Sequence, residues 1–403
     1  MVDRTVVHFS GPLAVHSEAL RRALLARGYA PMSATNLLRL AAHLSRWLEA
    51  QTLGIEQFSA ERIAEFLAVR RDRCSHFFTE RSLAPILLYF ENAGLVCRST
   101  MRVAPSGAAD QLLSSYVQYL QRERCLTAGC VQHYNAIARQ FFRWRFGEDQ
   151  VIDFASLTAS EVTSFALYAS ARYSIGTAKL VVTALRSFLR YLYLQGKVPV
   201  DLRGALPAIA GWRLTGIPKA LTASQVHRLL RACDRRRHVG RRDYAVLLLL
   251  SRLGLRAGEV SALELEGVDW SHGEILVRGK GKRKERLPLP SDVGNALASY
   301  LRLSRPRTDS RRLFLCVRAP HGPLNRTAVT ALVRHACARA DLPIVGAHRL
   351  RHTAATEMLR NGGSLDEIAQ VLRHRSFDTT AIYAKVDRNA LRTLARRWPG
   401  GAP

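Results

Sequence analysis

Twice in its first two hundred residues the chain lays down the same stripe of apolar side chains, and this repeat restricts its possible folds more than any other feature. Leu37, Leu40, Leu44 and Trp47 are answered 97 positions later by Tyr134, Ile137, Phe141 and Trp144. Steps of three and four residues return a side chain to one face of an α-helix, so each stripe reads as a helix that buries that face. The likeness runs on. Leu25-Ala26-Arg27-Gly28 and Leu120-Gln121-Arg122-Glu123-Arg124 lead into the stripes. Ser59-Ala60-Glu61-Arg62 through Phe66 then answers Ala159-Ser160-Glu161-Val162 through Phe165. Each unit closes on an aromatic-rich helix and a glycine, Leu88 to Gly94 and Leu185 to Gly196. The pattern predicts two tandem modules of about four helices each, over 10–98 and 108–199. A generic likeness between two amphipathic helical stretches is the competing reading.

The charge is extreme and lopsided. A net charge of +28 calls for a polyanionic partner. Lys plus Arg exceeds Asp plus Glu by 3 in residues 1–100, by 5 in 101–200 and by 20 in 201–403. A membrane surface is the other polyanion, but it needs an amphipathic anchor or a long apolar span. The longest apolar run, Ala245 to Leu250, breaks at Ser251-Arg252 and reads as a buried helix. No secretory signal is read after Met1-Val2-Asp3-Arg4, and the seven cysteines show no C-x-x-C pair or metal spacing. The expectation is a bacterial cytoplasmic protein with reduced thiols, associated with the nucleoid when active.

Pro207, Gly211, Gly216 and Pro218 mark a linker over 201–220. Thr222-Ala223-Ser224-Gln225 then offers a capping box to start a helix. The remainder reads as mainly helical with one β-hairpin, Glu274 to Arg278 and Glu285 to Leu289 around a Gly/Lys turn.

Several residues in this basic half carry chemistry. Three H-x-x-R pairs occur: His43/Arg46 on an amphipathic helix, His238/Arg241 in a charge run, and His348/Arg351. The chain uses 53 arginines but only seven lysines, and three of those lysines crowd into Gly279-Lys280-Gly281-Lys282-Arg283-Lys284. Arginine binds phosphate but holds its proton, whereas a desolvated lysine beside other cations can donate one. A solvated basic turn gripping a DNA backbone is the plainer reading, applied here to Lys282 and Lys284. Arg256 follows the buried apolar helix, where a charge is costly unless it is paired or liganded. It points either into a binding site or into an ion pair with Glu259. Tyr383, one of 12 tyrosines, lies nine residues beyond His374. A tyrosine held near arginines, a lysine and histidines can attack a phosphodiester; a half-buried packing residue is the alternative.

In chain order, Gly254-Leu255-Arg256, Gly279-Lys280-Gly281, His348-Arg349-Leu350-Arg351-His352-Thr353, and Leu372-Arg373-His374-Arg375-Ser376 with Tyr383 resemble the active-site boxes of the tyrosine recombinases, the phage integrase family. The resemblance covers roughly residues 220–390. One departure is Arg373, where the family has glycine; that charge either touches the phosphate or changes the turn.

What the resemblance implies is a mainly α fold. Tandem SAM-like helical DNA-binding modules would precede a mixed α/β, mostly helical catalytic domain with a small β-sheet. The implied domains are an N-terminal module over 1–105, a core-binding domain over 106–200, the linker, and the catalytic domain over 221–403. Tyr383 would attack the phosphodiester to give a 3′-phosphotyrosyl link and a free 5′-hydroxyl. Arg256 and Arg351 would clamp the non-bridging oxygens, His348 assist as proton acceptor, His374 donate to the phosphate, and Lys280 protonate the leaving oxygen. Lys282, Arg283, Lys284, Arg373, Arg186 and Arg190 are further candidates for DNA contact. No cofactor, ATP or metal is required. The implied partners are double-stranded DNA and further copies or related recombinases, as a tetramer on two sites, with residues 391–398 docking on a neighbour. The role would be integration, excision or transposition of a mobile element. The alternatives are an Xer-type resolvase, relaxation in the manner of a type IB topoisomerase, or DNA binding without catalysis.

Overall fold

The computed structural model describes residues 7–73, 79–96, 107–147, 153–210, 219–279, 283–374 and 378–386. The first two hundred residues hold two runs of four helices. The first holds α1 (Ser17–Ala26), α2 (Pro31–Ala50), α3 (Ala60–Arg73) and α4 (Glu80–Asn92). The second holds α5 (Ala108–Arg122), α6 (Ala128–Phe146), α7 (Ala159–Ser170) and α8 (Ile175–Leu194). Local chemistry sets the helix starts. Pro31 occupies the first turn of α2, where its fixed φ fits and its missing N–H is not needed. Thr158 and Glu161 close a reciprocal capping box on α7.

By contact density the chain divides into two compact units, residues 1–52, 81–89 and 214–403 in one, and 53–80 and 90–213 in the other. This grouping follows contacts and not the repeat. The second unit has an aromatic core in which Phe188 meets Tyr116 edge-on at 5.0 Å, and Phe141 meets Phe165 in the same manner at 5.0 Å. The apolar stripe is buried at Ile137 and Phe141 but reaches the surface at Trp144.

In the first unit the remaining helices are α9 (Ala223–Arg231), α10 (His238–Arg252), α11 (Ala257–Ala262), α12 (Ser291–Leu303), α13 (Arg326–Arg339), α14 (Ala347–Arg360), α15 (Leu365–Leu372) and α16 (Asp378–Ala381). The run Ala245 to Leu250 is fully buried in the centre, as its composition predicts, and α10 packs against α12 and α14. The strands β1 (Val268–Asp269), β2 (Glu274–Arg278) and β3 (Lys284–Pro288) form an antiparallel sheet in the order β1-β2-β3. The hairpin was expected, with its second strand one residue later. β1 was not expected, because two residues carry no readable alternation. Ile275 pairs with Leu287 in register and both side chains face the core.

Thr222 caps α9 as its capping box predicts. Just before it, the chain is tied to α14: the Lys219 carbonyl accepts from Arg349 Nη1 at 2.7 Å, and the Leu221 N–H donates to Thr353 Oγ1 at 2.9 Å. No helix among the described residues is long and apolar enough to cross a membrane.

Candidate active site

Four segments of the first unit converge here. The first is the break between α10 and α11. Gly254 adopts φ +60, a left-handed conformation that glycine takes without steric cost, and its carbonyl accepts from Arg351 Nη1 at 2.6 Å. Two residues later Arg256 sits at the head of α11. Its N–H donates to Glu259 Oε2 at 2.8 Å and its Nη1 to Glu259 Oε1 at 2.6 Å. The ion pair considered from sequence therefore exists, yet the Arg256 side chain stays 38% exposed while Glu259 keeps only 4%. An arginine paired on one side and open on the other can still take a phosphate.

The second segment is α14. His348, Arg351 and His352 stand at i, i+3 and i+4, which places all three on one face of the helix. Arg351 is 1% exposed and spends two arms on the carbonyls of Gly254 and Leu372. Burial, with Arg256 next, lowers it to about 10, so the guanidinium remains charged at neutral pH. The His348 ring is open on its outer side. Loss of water on its covered side, then Arg351 and Arg256, hold it below the ordinary imidazole value.

The third segment runs from the end of α15 through α16. Arg373 takes the left-handed conformation, φ 56 and ψ 49, that ends α15. That is where the family's glycine would stand, and a non-glycine residue pays about 1–2 kcal/mol for it. Its guanidinium offsets the cost by pairing with Glu259 Oε2 at 2.7 Å, with both side chains almost wholly buried. Of the two possibilities raised for this residue, it shapes the turn. Two of its nitrogens are thereby committed, one to Glu259 and one to the Val371 carbonyl at 2.8 Å. Burial raises Glu259, but Arg373 first and Arg256 next outweigh this and leave it below its usual range. His374 Nδ1 meets the hydroxyl of fully buried Thr380 at 2.7 Å. Burial, then Arg351 and Arg256, push His374 down to about 4.

Tyr383 completes the set. It packs with Ala355, Ile368 and Leu372 in a satellite core and is 1% exposed. Its ring lies parallel to that of His374, with centroids 6.4 Å apart. Its hydroxyl is 2.8 Å from His352 Nδ1. Burial, opposed by Arg351 and Arg256, pushes the phenol up to about 12. Sequence reasoning quoted His352 within its box but gave it no role; the only signal was its place one turn after His348. Thr380 was missed in the same way.

The fourth segment is the hairpin turn. The Gly279 N–H donates to the Arg283 carbonyl at 2.9 Å and closes its base. Lys280 and Lys282 lie outside the described residues, as does the 391–398 segment expected to dock on a neighbour. Arg283 and Lys284 are exposed. Arg256, Arg283, Gln370, Arg373, His374 and Thr379 line an open cleft of about 840 Å³. Arg186 and Arg190 are exposed one turn apart on α8, in the other unit.

The chain that carries these residues has relatives among known proteins. The model of the Phage integrase family matches residues 219–390. The putative integrase/recombinase y4rA of Sinorhizobium fredii is 40% identical over 395 residues, 97% of this chain and 96% of that one. The chain belongs to the phage integrase family. It is thus a tyrosine recombinase, of a family of enzymes that break and rejoin DNA strands. This integrase-family chain is also 30% identical to the tyrosine recombinase XerC of Oceanobacillus iheyensis, over 70% of its own length and 93% of the other. Its fold is shared with the XerH site-specific recombinase, solved bound to palindromic difH substrate in a post-cleavage complex. The TM-score there is 0.55 at 17% identity, covering 84% of this chain and 97% of that one. A lambda integrase dimer bound to a COC′ core site gives 0.54 at 16% identity, covering 80% and 90%.

Proposed function

We propose that the chain is a site-specific recombinase that cleaves and rejoins duplex DNA through a 3′-phosphotyrosyl intermediate on Tyr383, in the integration, excision or transposition of a mobile element. One observation carries the reading: a buried tyrosine hydroxyl is held against an imidazole next to Arg351, itself buried and charged, and the tyrosine ring lies parallel to His374, which lines an arginine-containing cleft.

The chemistry follows from what phosphodiester cleavage demands. Charge grows on the non-bridging oxygens, and cations fixed beforehand stabilise it without reorganising. Arg256 and Arg351 take that role. His374 donates to the phosphate; with Nδ1 engaged by Thr380, its Nε2 is the nitrogen left for it. His348 is exposed on α14, one turn from His352. Lys280 protonates the 5′-oxygen as it leaves. The phenol proton passes to an imidazole, and the phosphotyrosyl link conserves the bond for rejoining without ATP.

The assembly we infer is a tetramer, of this chain or with related recombinases, on two DNA sites in the bacterial cytoplasm. Residues 106–200 act as the core-binding domain through Arg186 and Arg190, with 1–105 a diverged copy of it. Residues 201–220 are the linker and 221–403 the catalytic domain. Arg283 and Lys284 grip the backbone at the hairpin.

The test is covalent trapping. Wild type and Tyr383→Phe are incubated with nicked suicide duplexes tiled from the DNA flanking the chain's own gene. A tyrosine-dependent adduct that keeps a label at the 3′ phosphate is expected, with at least a 10³-fold loss in the variant, since nothing else replaces a covalent nucleophile. Tight binding with no adduct would leave a DNA-binding protein. Relaxation of any supercoiled plasmid would indicate topoisomerase activity.

A further inference from the structure

We propose that His352 is the group that accepts the proton of the Tyr383 hydroxyl, a catalytic residue additional to those the active-site boxes name. This deepens the reading of Tyr383 as nucleophile and rests on it.

The geometry comes first. Tyr383 is 1% exposed, so its O–H has lost water and needs an acceptor within the protein. Among the described residues that partner is His352 Nδ1, at 2.8 Å, with the two rings tilted by 58° and centroids 5.6 Å apart. The direction of the bond follows from the protonation states. The phenol, pushed up to about 12 by burial, keeps its proton at neutral pH. His352 is pushed down to about 4, by burial first and then by His348, Arg349 and Arg351, and is neutral. The phenol therefore donates, Nδ1 carries the lone pair, and Nε2 carries the imidazole proton. His348, expected to accept this proton, is one helical turn away. It meets His352 edge-on with centroids 4.4 Å apart, and no hydrogen bond joins it to Tyr383 among the described residues. The two histidines of α14 differ in their surroundings: His348 is exposed, and His352 meets the nucleophile.

The step balances. As the Tyr383 oxygen bonds phosphorus, its O–H bond breaks and the proton passes to His352 Nδ1. The bond from phosphorus to the 5′-oxygen breaks, and that oxygen takes a proton from a separate donor. On rejoining, the 5′-hydroxyl attacks and gives its proton back to that separate donor, while the tyrosine oxygen departs and takes back its proton from His352. A base at about 4 does not deprotonate a phenol at about 12 at rest. Transfer accompanies bond formation, because the attacking oxygen grows acidic as it becomes an ester oxygen.

The test compares the full-length wild type with His352→Gln in single-turnover cleavage of the nicked duplexes. Thermal melting and DNA affinity serve as controls. Cleavage in the variant should fall by about 10²-fold or more, the usual contribution of a general base, with DNA affinity retained. Each protein is then made with 3,5-difluorotyrosine at position 383, a phenol that sheds its proton more readily. The deficit of the variant should shrink with the fluorinated nucleophile if His352 moves a proton, and stay constant if it only anchors the ring. Cleavage at the wild-type rate, or a deficit that fluorination leaves unchanged, overturns the proposal. Should His352→Gln not fold, His352→Asn takes the same comparison. The imidazole ¹⁵N signals of the wild type provide an independent readout: an unprotonated, hydrogen-bonded Nδ1 is expected, and an Nδ1–H tautomer overturns the assignment. If wild type forms no adduct on any duplex, the reading of Tyr383 fails by itself and the ¹⁵N result still decides the direction of the hydrogen bond.

Discussion

Glu259 holds two arginines in place at once, so the loss of either changes how firmly the other is held. One carboxylate oxygen faces Arg256, the other faces buried Arg373. Arg373→Gly would put the family's residue back and relieve the left-handed strain, worth about 1–2 kcal/mol. It would also remove one partner of a buried pair, which costs about 3–5 kcal/mol, so the loss outweighs the gain. We expect a lower melting temperature. Cleavage should fall by about tenfold as Glu259 draws Arg256 inward, a weakening of one charge-assisted contact by about 1.4 kcal/mol. Single-turnover cleavage measured beside DNA affinity checks this; unchanged cleavage would mean Arg373 serves the turn alone. The sequence showed the departure at this position but not its partner, since Arg373 and Glu259 are 114 residues apart.

At the scale of elements, the site depends on two carbonyls that α14 cannot supply for itself. The bend at Gly254 and the end of α15 at Leu372 both point a carbonyl at Arg351. A Cβ at Gly254 would come within 2.4 Å of Leu372 Cδ2 and would sit at φ +60. Gly254→Ala should therefore cost about 1–3 kcal/mol of stability. It should also slow cleavage, because Leu372 must shift and its carbonyl moves with it. Thermal denaturation and covalent trapping of the variant test both parts; a variant as stable and as active as wild type would refute them. Much at this scale was legible. Apolar spacing gave the helices, Thr222 and Gln225 gave a start, and the Gly/Lys turn gave the hairpin. The two-residue β1 was not, because it exists only by pairing with β2.

Across the whole molecule, positive charge meets a cluster of imidazoles that fold in their neutral form. His352 and His374 are held at about 4 against an ordinary 6.5, and His348 is lowered too. Between those values the unfolded chain binds protons that the folded chain refuses, so stability rises with pH through the window. Glu259, also lowered, acts in the same direction. Stability is thus complete above about 6.5 and is lost as pH falls toward 4. Melting temperatures from pH 8 to 4 should show this decline, less marked in His352→Gln; a flat profile would argue against neutral imidazoles in the fold.

By itself the sequence determined the helical repeat, the basic half and the order of the active-site boxes. Each of these is written in local spacing or in residue type, and spacing along a helix needs no knowledge of what lies opposite. Only the tertiary structure decided which imidazole meets Tyr383, how Glu259 is shared, and why an arginine can stand at the end of α15. Those outcomes depend on side chains brought within 3 Å across 31 and 114 residues of chain, and on the burial that shifts their charges.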